Sequence, residues 1–434
     1  MNSPLSQAGP GLYRWIVFFL LAVGYLLVNF HRLCPAVVAV DLMDDLKAGG
    51  SMMGLLASAY FYPYALMQIP SGLLSDSWGP RKTITTFFIL AGLSSIAFGF
   101  ASTAGWAIAA RVFVGVGVAM FFVPIMKILT CWFTVSEFSF MTGLFIAVGG
   151  AGALTAATPL AYLSMWIGWR GSFIFIGVVT LVSAAAIWIF VRNTPEELGW
   201  PAVRLKNPSE ESSGQKIRLW TAMKEVVKSP RFWPLSLWYF CNFGLFYSFG
   251  GLWGGPYLMD VYRLSKSEAG AILSMMAIAI IIGSPIFSFV SDRVLRSRKK
   301  ALVLSTFVML LLVLAIAFFT AQFNRPMLYV WCFLWGFFGC SSSVIGFAAA
   351  KESFPISIAG TAIGLVNGFP FLGGALMQPL VGYVLDSFGK GPAGYPVEAY
   401  SQAFLWYIAV AIVSLISAFC IHETFAESGE APSA

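Results

Sequence analysis

Apolar runs of about 20 residues recur along nearly the whole chain, and short polar interruptions separate them. A run of that length, coiled as an α-helix, spans the roughly 30 Å hydrocarbon core of a lipid bilayer. The composition agrees, since 59% of the 434 residues are hydrophobic and only 10% are charged. No stretch is left for a large soluble domain. The sequence therefore predicts an all-α membrane protein.

The apolar runs predict twelve transmembrane helices in two sets of six. The first six are placed at 14–40, 51–75, 83–101, 106–133, 138–163 and 171–191. The second six are placed at 232–257, 267–290, 301–321, 327–350, 357–385 and 401–421. The longest polar stretch, 192–231, lies between the sets, and its later part, 219–227, has the pattern of an amphipathic surface helix. We therefore expect an N-terminal half over 1–191, a cytoplasmic linker over 192–231 and a C-terminal half over 232–434.

The distribution of Lys and Arg predicts the orientation, because positively charged short loops stay in the cytoplasm. Twelve crossings put both termini on one side, and most of the 26 basic residues fall on that side. The opposite side holds six of them: Lys47, Arg170, Arg263, Lys266, Arg325 and Lys390. Both termini are therefore expected in the cytoplasm, in a multi-pass protein of the cell inner membrane.

Two loops at corresponding places in the two sets resemble each other. The loop after the second helix contains Gly72, Asp76, Gly79 and Arg81, and the loop after the eighth contains Asp292 followed by basic residues. Asp76 and Asp292 are 216 residues apart, almost half the chain. Such repetition is expected when two six-helix halves are related by an axis along the membrane normal.

The segment 72–82 resembles the signature loop of the major facilitator superfamily, with Ser77 and Pro80 where that loop usually has basic residues. The segment 111–117, which begins with Arg111, resembles a second motif of the superfamily, Arg-x-x-x-Gly-x-Gly. The resemblance covers the whole chain and implies two pseudo-symmetric halves and transport by alternating access. We interpret Asp76 as part of a gating latch that accepts charge-assisted hydrogen bonds from a helix terminus or from Arg81, with Asp292 in the matching position.

Ionisable residues inside a membrane span are costly and therefore mark functional sites. Arg32, Arg111 and Lys127 lie inside predicted spans, whereas no acidic residue lies near the middle of any span. The predicted cavity is therefore electropositive and suited to an anion. Arg111 is expected to be a hydrogen-bonding residue of the gate.

Arg32 and Lys127 are the leading candidates for binding that anion. Within the superfamily, Arg32 resembles the first-helix arginine of the anion:cation symporter and organophosphate antiporter groups, and Lys127 with Trp132 and Phe133 resembles the end of the fourth helix in the anion symporters. At 1.5 Å per residue, Arg32 lies about 25 Å and Lys127 about 9 Å from the cytoplasmic ends of their helices. We nevertheless expect both to bind one substrate, because neither has a carboxylate in the spans to pair with.

Polar and aromatic residues on neighbouring spans are expected to complete the binding site. His31 precedes Arg32 and titrates near neutral pH, which makes it the candidate for carrying a coupled proton. Ser341, Ser342 and Ser343 offer further hydrogen bonds from the tenth helix. The other candidate wall residues are Tyr64, Tyr239, Asn242, Tyr247 and Asn367.

These features together predict a secondary transporter of small organic anions, namely carboxylates or sugar acids, with proton symport as the expected coupling. Two alternatives stay open: an exporter or exchanger of a siderophore, drug or peptide, and a nontransporting membrane sensor. The fifth helix lacks the full Gly-Pro pattern of the superfamily's drug exporters. We find no nucleotide-binding loop or metal-ligand cluster, and we expect no enzymatic activity, cofactor, metal or nucleic-acid partner. A monomer is expected.

Overall fold

The computed structural model describes residues 10–201, 219–392 and 394–425. Helices dominate these ranges. The first nine are α1 (Pro10–Leu33), α2 (Pro35–Asp45), α3 (Gly50–Ser58), α4 (Phe61–Ser77), α5 (Pro80–Gly99), α6 (Ala104–Ala119), α7 (Phe122–Trp132), α8 (Val135–Thr155) and α9 (Thr158–Phe190). The others are α10 (Leu219–Lys228), α11 (Phe232–Ser248), α12 (Gly254–Tyr262), α13 (Lys266–Phe289), α14 (Arg298–Phe318), α15 (Arg325–Gly339), α16 (Ser343–Glu352), α17 (Ile356–Phe388) and α18 (Val397–Cys420).

The described residues cross the membrane twelve times. Nine helical stretches among them are long and apolar enough for a crossing. One of these, Met141–Phe190, bends at Gly168, whose φ is 71°, and therefore contains two crossings. Two more crossings, 50–77 and 232–262, consist of shorter helices in succession. The predicted fold of twelve transmembrane helices in two halves is confirmed.

Several crossings that the sequence predicts as single helices are interrupted. The first one breaks between Leu33 and Pro35, because proline has no N–H to continue the helical hydrogen bonds. The fifth breaks between Thr155 and Thr158, just before Pro159. The loop predicted between the fifth and sixth helices is reduced to the bend at Gly168, since glycine adopts a positive φ without steric strain.

Of the linker predicted over 192–231, part lies outside the described residues. The described part contains a short 3₁₀ turn, Pro195–Leu198, and helix α10. Helix α10 buries Ala222 and Val226 and exposes Trp220, which is the amphipathic pattern predicted for 219–227. The domain boundaries stay a prediction.

Close packing at glycines is repeated in the two halves. A Cβ at Gly152 of α8 would overlap the backbone carbonyl of Leu26 on α1, and one at Gly373 of α17 would overlap the carbonyl of Phe240 on α11. In each half, then, the first and fifth crossings approach so closely that only hydrogen fits between them.

The two halves meet along two seams. In one, Thr158 of α9 and Ser274 of α13 have their hydroxyl oxygens 2.8 Å apart. In the other, the Tyr62 hydroxyl of α4 donates to the carbonyl of Ala375 on α17 at 3.1 Å. We call the bundle end that holds the start of α1 and the end of α18 the terminal face, and the other end the opposite face. The candidate site lies between the seams.

Candidate functional site

A cavity of about 550 Å³ lies between the two halves. Helices α1, α4, α7 and α8 line it from the first half, and α11, α13, α16 and α17 from the second. Arg32 lies at its inner end, whereas Thr142 and Gly360, near the starts of their helices at the terminal face, also line it. The cavity therefore extends from the middle of the bundle towards the terminal face.

Arg32 is the charged residue of this cavity. Its side chain is buried, with 9% of the residue exposed. One terminal nitrogen donates to the Asn29 side-chain oxygen at 3.1 Å, and the other donates to the Tyr64 hydroxyl at 2.9 Å. Its Nε is buried and has no hydrogen-bond partner. Among the described residues that line the cavity, none is acidic, so Arg32 has no counter-ion there.

Aromatic rings from both halves pack against the Arg32 guanidinium. Its central carbon lies 5.0 Å from the ring centroid of Tyr64 and 5.0 Å from that of Phe371. Tyr64 belongs to α4 in the first half and Phe371 to α17 in the second. Such contacts hold a desolvated cation in a fixed orientation, with its N–H edge available to a ligand.

Four of the predicted wall residues line the cavity: Tyr64, Tyr239, Tyr247 and Asn367. The Tyr239 hydroxyl donates to the backbone carbonyl of Ser343 at 2.7 Å. The Asn367 side chain donates to the Gln68 side-chain oxygen at 3.3 Å, which joins α17 to α4 across the cavity. Ser343 also lines the cavity, as expected for the tenth helix.

His31 and Asn242 do not line the cavity, so the expectation that they contact substrate does not hold in this structure. His31 is fully buried inside the first half, and its Nε2 lies 3.2 Å from the Thr180 hydroxyl on α9. It follows Phe30 and precedes Arg32 on a helix, so its side chain points about 100° away from that of Arg32. Asn242 instead donates to the carbonyl of Gly339 at 2.7 Å and ties α11 to α15.

Lys127 is also separated from the cavity. Its Nζ lies 2.6 Å from the Asp76 carboxylate and donates to the Ser75 carbonyl at 3.1 Å, at the terminal face. Lys127 therefore has a carboxylate partner, because its long side chain reaches the end of α4. The sequence places Asp76 outside the spans, and only the packing of α7 against α4 brings the two together.

Of the predicted gating residues, those of the signature loop stay within the first half in this conformation. Arg81 donates to the backbone carbonyl of Trp188, and its guanidinium carbon lies 4.3 Å from the centroid of the Trp188 ring. The guanidinium is therefore directed to the end of α9 and away from Asp76. Gly79, with φ 85°, begins α5, and Gly72 faces open space. A latch between the halves at Asp76 stays a prediction.

Arg111 lies in the interior of the first half. It donates to the backbone carbonyl of His31 at 3.0 Å, and its guanidinium carbon lies 5.1 Å from the Tyr60 ring centroid. The carbonyl it binds lies next to the break between α1 and α2. These contacts fix the position of the broken first crossing.

In the second half, Asp292 belongs to a larger ionic cluster at the terminal face. Arg298 pairs with Asp292 and with Glu352, the latter at 3.0 Å. Glu423 accepts hydrogen bonds from Ser297 and from backbone N–H groups. Burial raises the pKa of Glu423, but these hydrogen bonds outweigh burial and leave that pKa below its ordinary value. The cluster ties the ends of the eighth, ninth, tenth and twelfth crossings together.

At the opposite face, polar contacts join the two halves. The Asp386 carboxylate of α17 accepts from the backbone N–H groups of Gly50, at 2.6 Å, and Ser51, at 2.8 Å, at the start of α3. Lys390 lies 2.5 Å from Asp44, and Lys266 pairs with Asp41. Among the described residues, the ion pairs at the terminal face stay within one half. The cavity is therefore closed at the opposite face.

Several lining residues escape the analysis of the sequence. A signal was present for some of them, since Asn29 precedes Arg32 by three residues and Gln68 follows Tyr64 by four, which places each pair on one helix face. The same spacing of four relates Tyr25 to Asn29 and Phe371 to Asn367. Only the arrangement of the helices assigns Thr142 and Ser284 to the cavity.

The sequence matches the family model described as Major Facilitator Superfamily over residues 15–376 and again over 239–432. The chain belongs to the Major Facilitator Superfamily. It is therefore a membrane-spanning protein of a transporter family, as its motifs predict. The overlapping second match to the later part agrees with the repetition of the two halves.

Curated relatives of this superfamily member are distant but cover most of its length. It is 24% identical to a probable hexose phosphate transport protein of Chlamydia muridarum, over 93% of this chain and 90% of that protein. It is 25% identical to the hexuronate transporter of Bacillus subtilis, over 87% of this chain and 82% of that protein. It is 23% identical to the membrane sensor protein UhpC of Escherichia coli, over 94% of this chain and 91% of that protein.

Solved structures of the superfamily share the fold. One is a bacterial homologue of the human lysosomal transporter Spinster, in an inward-facing and unoccupied conformation, with a TM-score of 0.77 and 18% identity over 97% of this chain and 99% of that chain. Another is a D-xylose–proton symporter, with a TM-score of 0.72 and 13% identity over 93% of this chain and 97% of that chain.

Proposed function

We propose that this protein is a secondary transporter of small organic anions that works by alternating access. The observation that carries the proposal is Arg32, a buried cation at the inner end of a cavity between the halves, with no acidic partner among the described lining residues. A buried charge without a partner is costly. An anionic substrate removes that cost when it binds.

The relatives agree with an anionic substrate. Two of them are named for anions: hexose phosphate, which is largely a dianion at neutral pH, and hexuronate, which is a monoanion. From the position of Arg32, we infer that this chain also takes an anionic substrate. We propose carboxylates or sugar acids as the substrate class.

Rocking of the halves gives the substrate access from each side in turn. The cavity extends to the terminal face, and the halves are joined at the opposite face. With the basic loops in the cytoplasm, the terminal face is cytoplasmic and the conformation is inward-facing. We propose that the protein acts as a monomer in the inner membrane, with halves at 1–191 and 232–434.

Proton symport is the coupling that we propose. His31 is directed into the first half and is separated from the cavity, and no described lining residue is acidic. A proton-driven cycle through His31 would therefore need a rearrangement of α1. Accumulation driven by a pH gradient in proteoliposomes, with His31→Gln as the variant, tests this coupling separately from anion binding.

The transport proposal is tested by uptake of a panel of radiolabelled organic acids into proteoliposomes. Arg32→Ala should lower the affinity of any transported anion at least about 30-fold, because it removes the charge-assisted hydrogen bonds. Arg32→Lys keeps the charge but loses the planar fork and should lower the affinity about tenfold. Arg293→Ala, at an exposed arginine, is the matched control. Anion uptake that is unchanged in Arg32→Ala would exclude Arg32 as the binding cation.

A membrane sensor is the second candidate function, favoured by the similarity to UhpC over nearly the whole chain. A sensor with this cavity binds its ligand through Arg32 but does not move it across the membrane. Ligand binding by the purified protein, without uptake in proteoliposomes of either orientation, would support the sensor and contradict transport.

A further inference from the structure

We infer that this site accepts organic acids with a single negative charge and discriminates against dianions of the same carbon skeleton. This inference rests on the proposed anion site at Arg32 and specifies its substrate. It follows from the number of charges in the cavity wall and from the hydrogen bonds that the neutral wall residues already make.

The charge of the cavity wall limits the anions that it can bind. Arg32 is the only charged residue among the described residues that line the cavity. Lys127 pairs with Asp76 outside the lining, and Arg111 donates to the His31 carbonyl inside the first half. The described part of the cavity wall therefore supplies one positive charge, which compensates one carboxylate.

A second negative charge in the cavity would have to be solvated by the neutral donors of the wall. The Asn29 amide donates to the Tyr25 carbonyl at 3.0 Å. The Asn367 amide donates to Gln68 at 3.3 Å, and the Gln68 amide donates to the Tyr64 carbonyl at 3.4 Å. Each of these amides uses one of its two N–H groups within the protein, so only the other N–H of each, a neutral donor, is left for a second carboxylate.

Two hydroxyl groups of the wall are committed in the same way. Tyr239 donates to the Ser343 carbonyl at 2.7 Å, and Ser284 donates to the Ile280 carbonyl at 2.9 Å. Much of the remaining wall is apolar, including Phe122, Phe243 and Phe347. A second negative charge would therefore meet apolar surface and neutral hydroxyls such as those of Tyr247 and Ser343, and no second cation among the described lining residues.

The place of the first carboxylate is well defined. Arg32 Nε is a buried donor without a partner, on a residue that is more than nine-tenths buried. The Tyr64 hydroxyl oxygen accepts from Arg32, so its own proton points away from the guanidinium. Nε has no accessible surface in this conformation, so a carboxylate at the guanidinium accepts from the second N–H of a terminal nitrogen and from the Tyr64 hydroxyl. The rest of the molecule then lies along the apolar wall.

The test compares ligands of related structure that carry no, one or two negative charges. Binding to the purified full-length protein is measured by isothermal titration calorimetry for two matched series. One is glucose, glucuronate and glucarate, with charges of 0, −1 and −2, and the other is benzyl alcohol, benzoate and phthalate. In a series that fits the cavity, the monoanion should bind at least about tenfold more tightly than both the neutral compound and the dianion.

A variant that adds a second cation should change this preference. Asn367→Lys places an ammonium group on the wall contributed by the second half and should reduce or reverse the preference for the monoanion. Asn367→Gln is the size-matched neutral control and should keep it. Lys127→Ala should leave the monoanion-to-dianion ratio unchanged, because Lys127 lies outside the cavity.

The outcomes separate this inference from the proposed function. Dianions that bind as tightly as monoanions, with binding abolished in Arg32→Ala, would overturn the inference and leave the anion site intact. A selective loss of dianion binding in Lys127→Ala would overturn it by showing that Lys127 supplies a second charge. Binding of no anion in either series would overturn the proposed function and this inference together.

Discussion

The guanidinium of Arg32 is oriented by neutral groups. Asn29 and Tyr64 each accept one of its hydrogen bonds, and Phe371 packs on it from the other half. Neutral partners leave the full positive charge available to a ligand, whereas a carboxylate partner would neutralise it and compete with the substrate. The same residues therefore fix the orientation of Arg32 and preserve its charge.

Removal of the Tyr64 hydroxyl tests this arrangement. Tyr64→Phe keeps the ring but loses the acceptor for Arg32 and the donor offered to the carboxylate. The affinity for a transported anion should therefore fall about 10–150-fold, as for one hydrogen bond to a charged group. Tyr407→Phe, at a buried tyrosine of α18 outside the cavity lining, is the control and should leave the affinity unchanged. The measurement is the Kd of the purified variants. Equal affinities for Tyr64→Phe and wild type would contradict the role of the hydroxyl.

At the scale of helices, the close contact between the first and fifth crossings shapes the wall of the cavity. Gly152 touches the backbone of α1 at Leu26, and Gly149 lies beside Tyr25 and Asn29. Small residues at such positions allow helix backbones to approach closely in a membrane. Because Asn29 contacts Arg32, the packing of α8 on α1 determines where the cation lies.

Gly152→Val should therefore destabilise the protein. The added side chain overlaps the Leu26 carbonyl, and overpacking of this kind costs about 1–3 kcal/mol. Gly143→Val lies on the same helix, where an added Cβ has no neighbour within 4 Å, and should have little effect. Thermal unfolding in detergent, followed by intrinsic fluorescence, measures the difference in Tm. Equal Tm values for the two variants would show that the helices can separate without cost.

At the scale of the whole molecule, the two faces differ in how the halves are connected. Asp386 caps the start of α3, and Lys390 and Lys266 form ion pairs across the opposite face. A carboxylate at a helix N-terminus is stabilised by the N–H groups and by the helix dipole. The contacts at this face must break when the transporter opens there, so their strength sets the balance between the two states.

Asp386→Ala should shift that balance towards opening at the opposite face. Spin labels at Phe100 and Phe319, both exposed near this face, report the separation of the halves by double electron–electron resonance in a background without the native cysteines. The mean distance should increase in Asp386→Ala. Asp76→Asn, at the terminal face, is the control and should not increase it. An unchanged distance distribution in Asp386→Ala would exclude Asp386 as a determinant of closure.

The sequence by itself determined the twelve-helix architecture, because the length and spacing of apolar segments in a bilayer leave few alternatives. It also makes Arg32 the leading candidate for anion binding, since a charge in the middle of a span is costly and therefore conspicuous. The sequence also predicts substrate contacts for His31, Asn242 and Lys127. Position along a helix gives the depth of a residue in the membrane but leaves open which way its side chain points relative to the neighbouring helices. The packing of α7 against α4, which places Lys127 beside Asp76, and the contact of Phe371 with Arg32 across the halves join residues far apart in the chain. Such pairings depend on helix tilt, on breaks such as the one at Pro35 and on close approaches at glycine, and only the tertiary structure decides them.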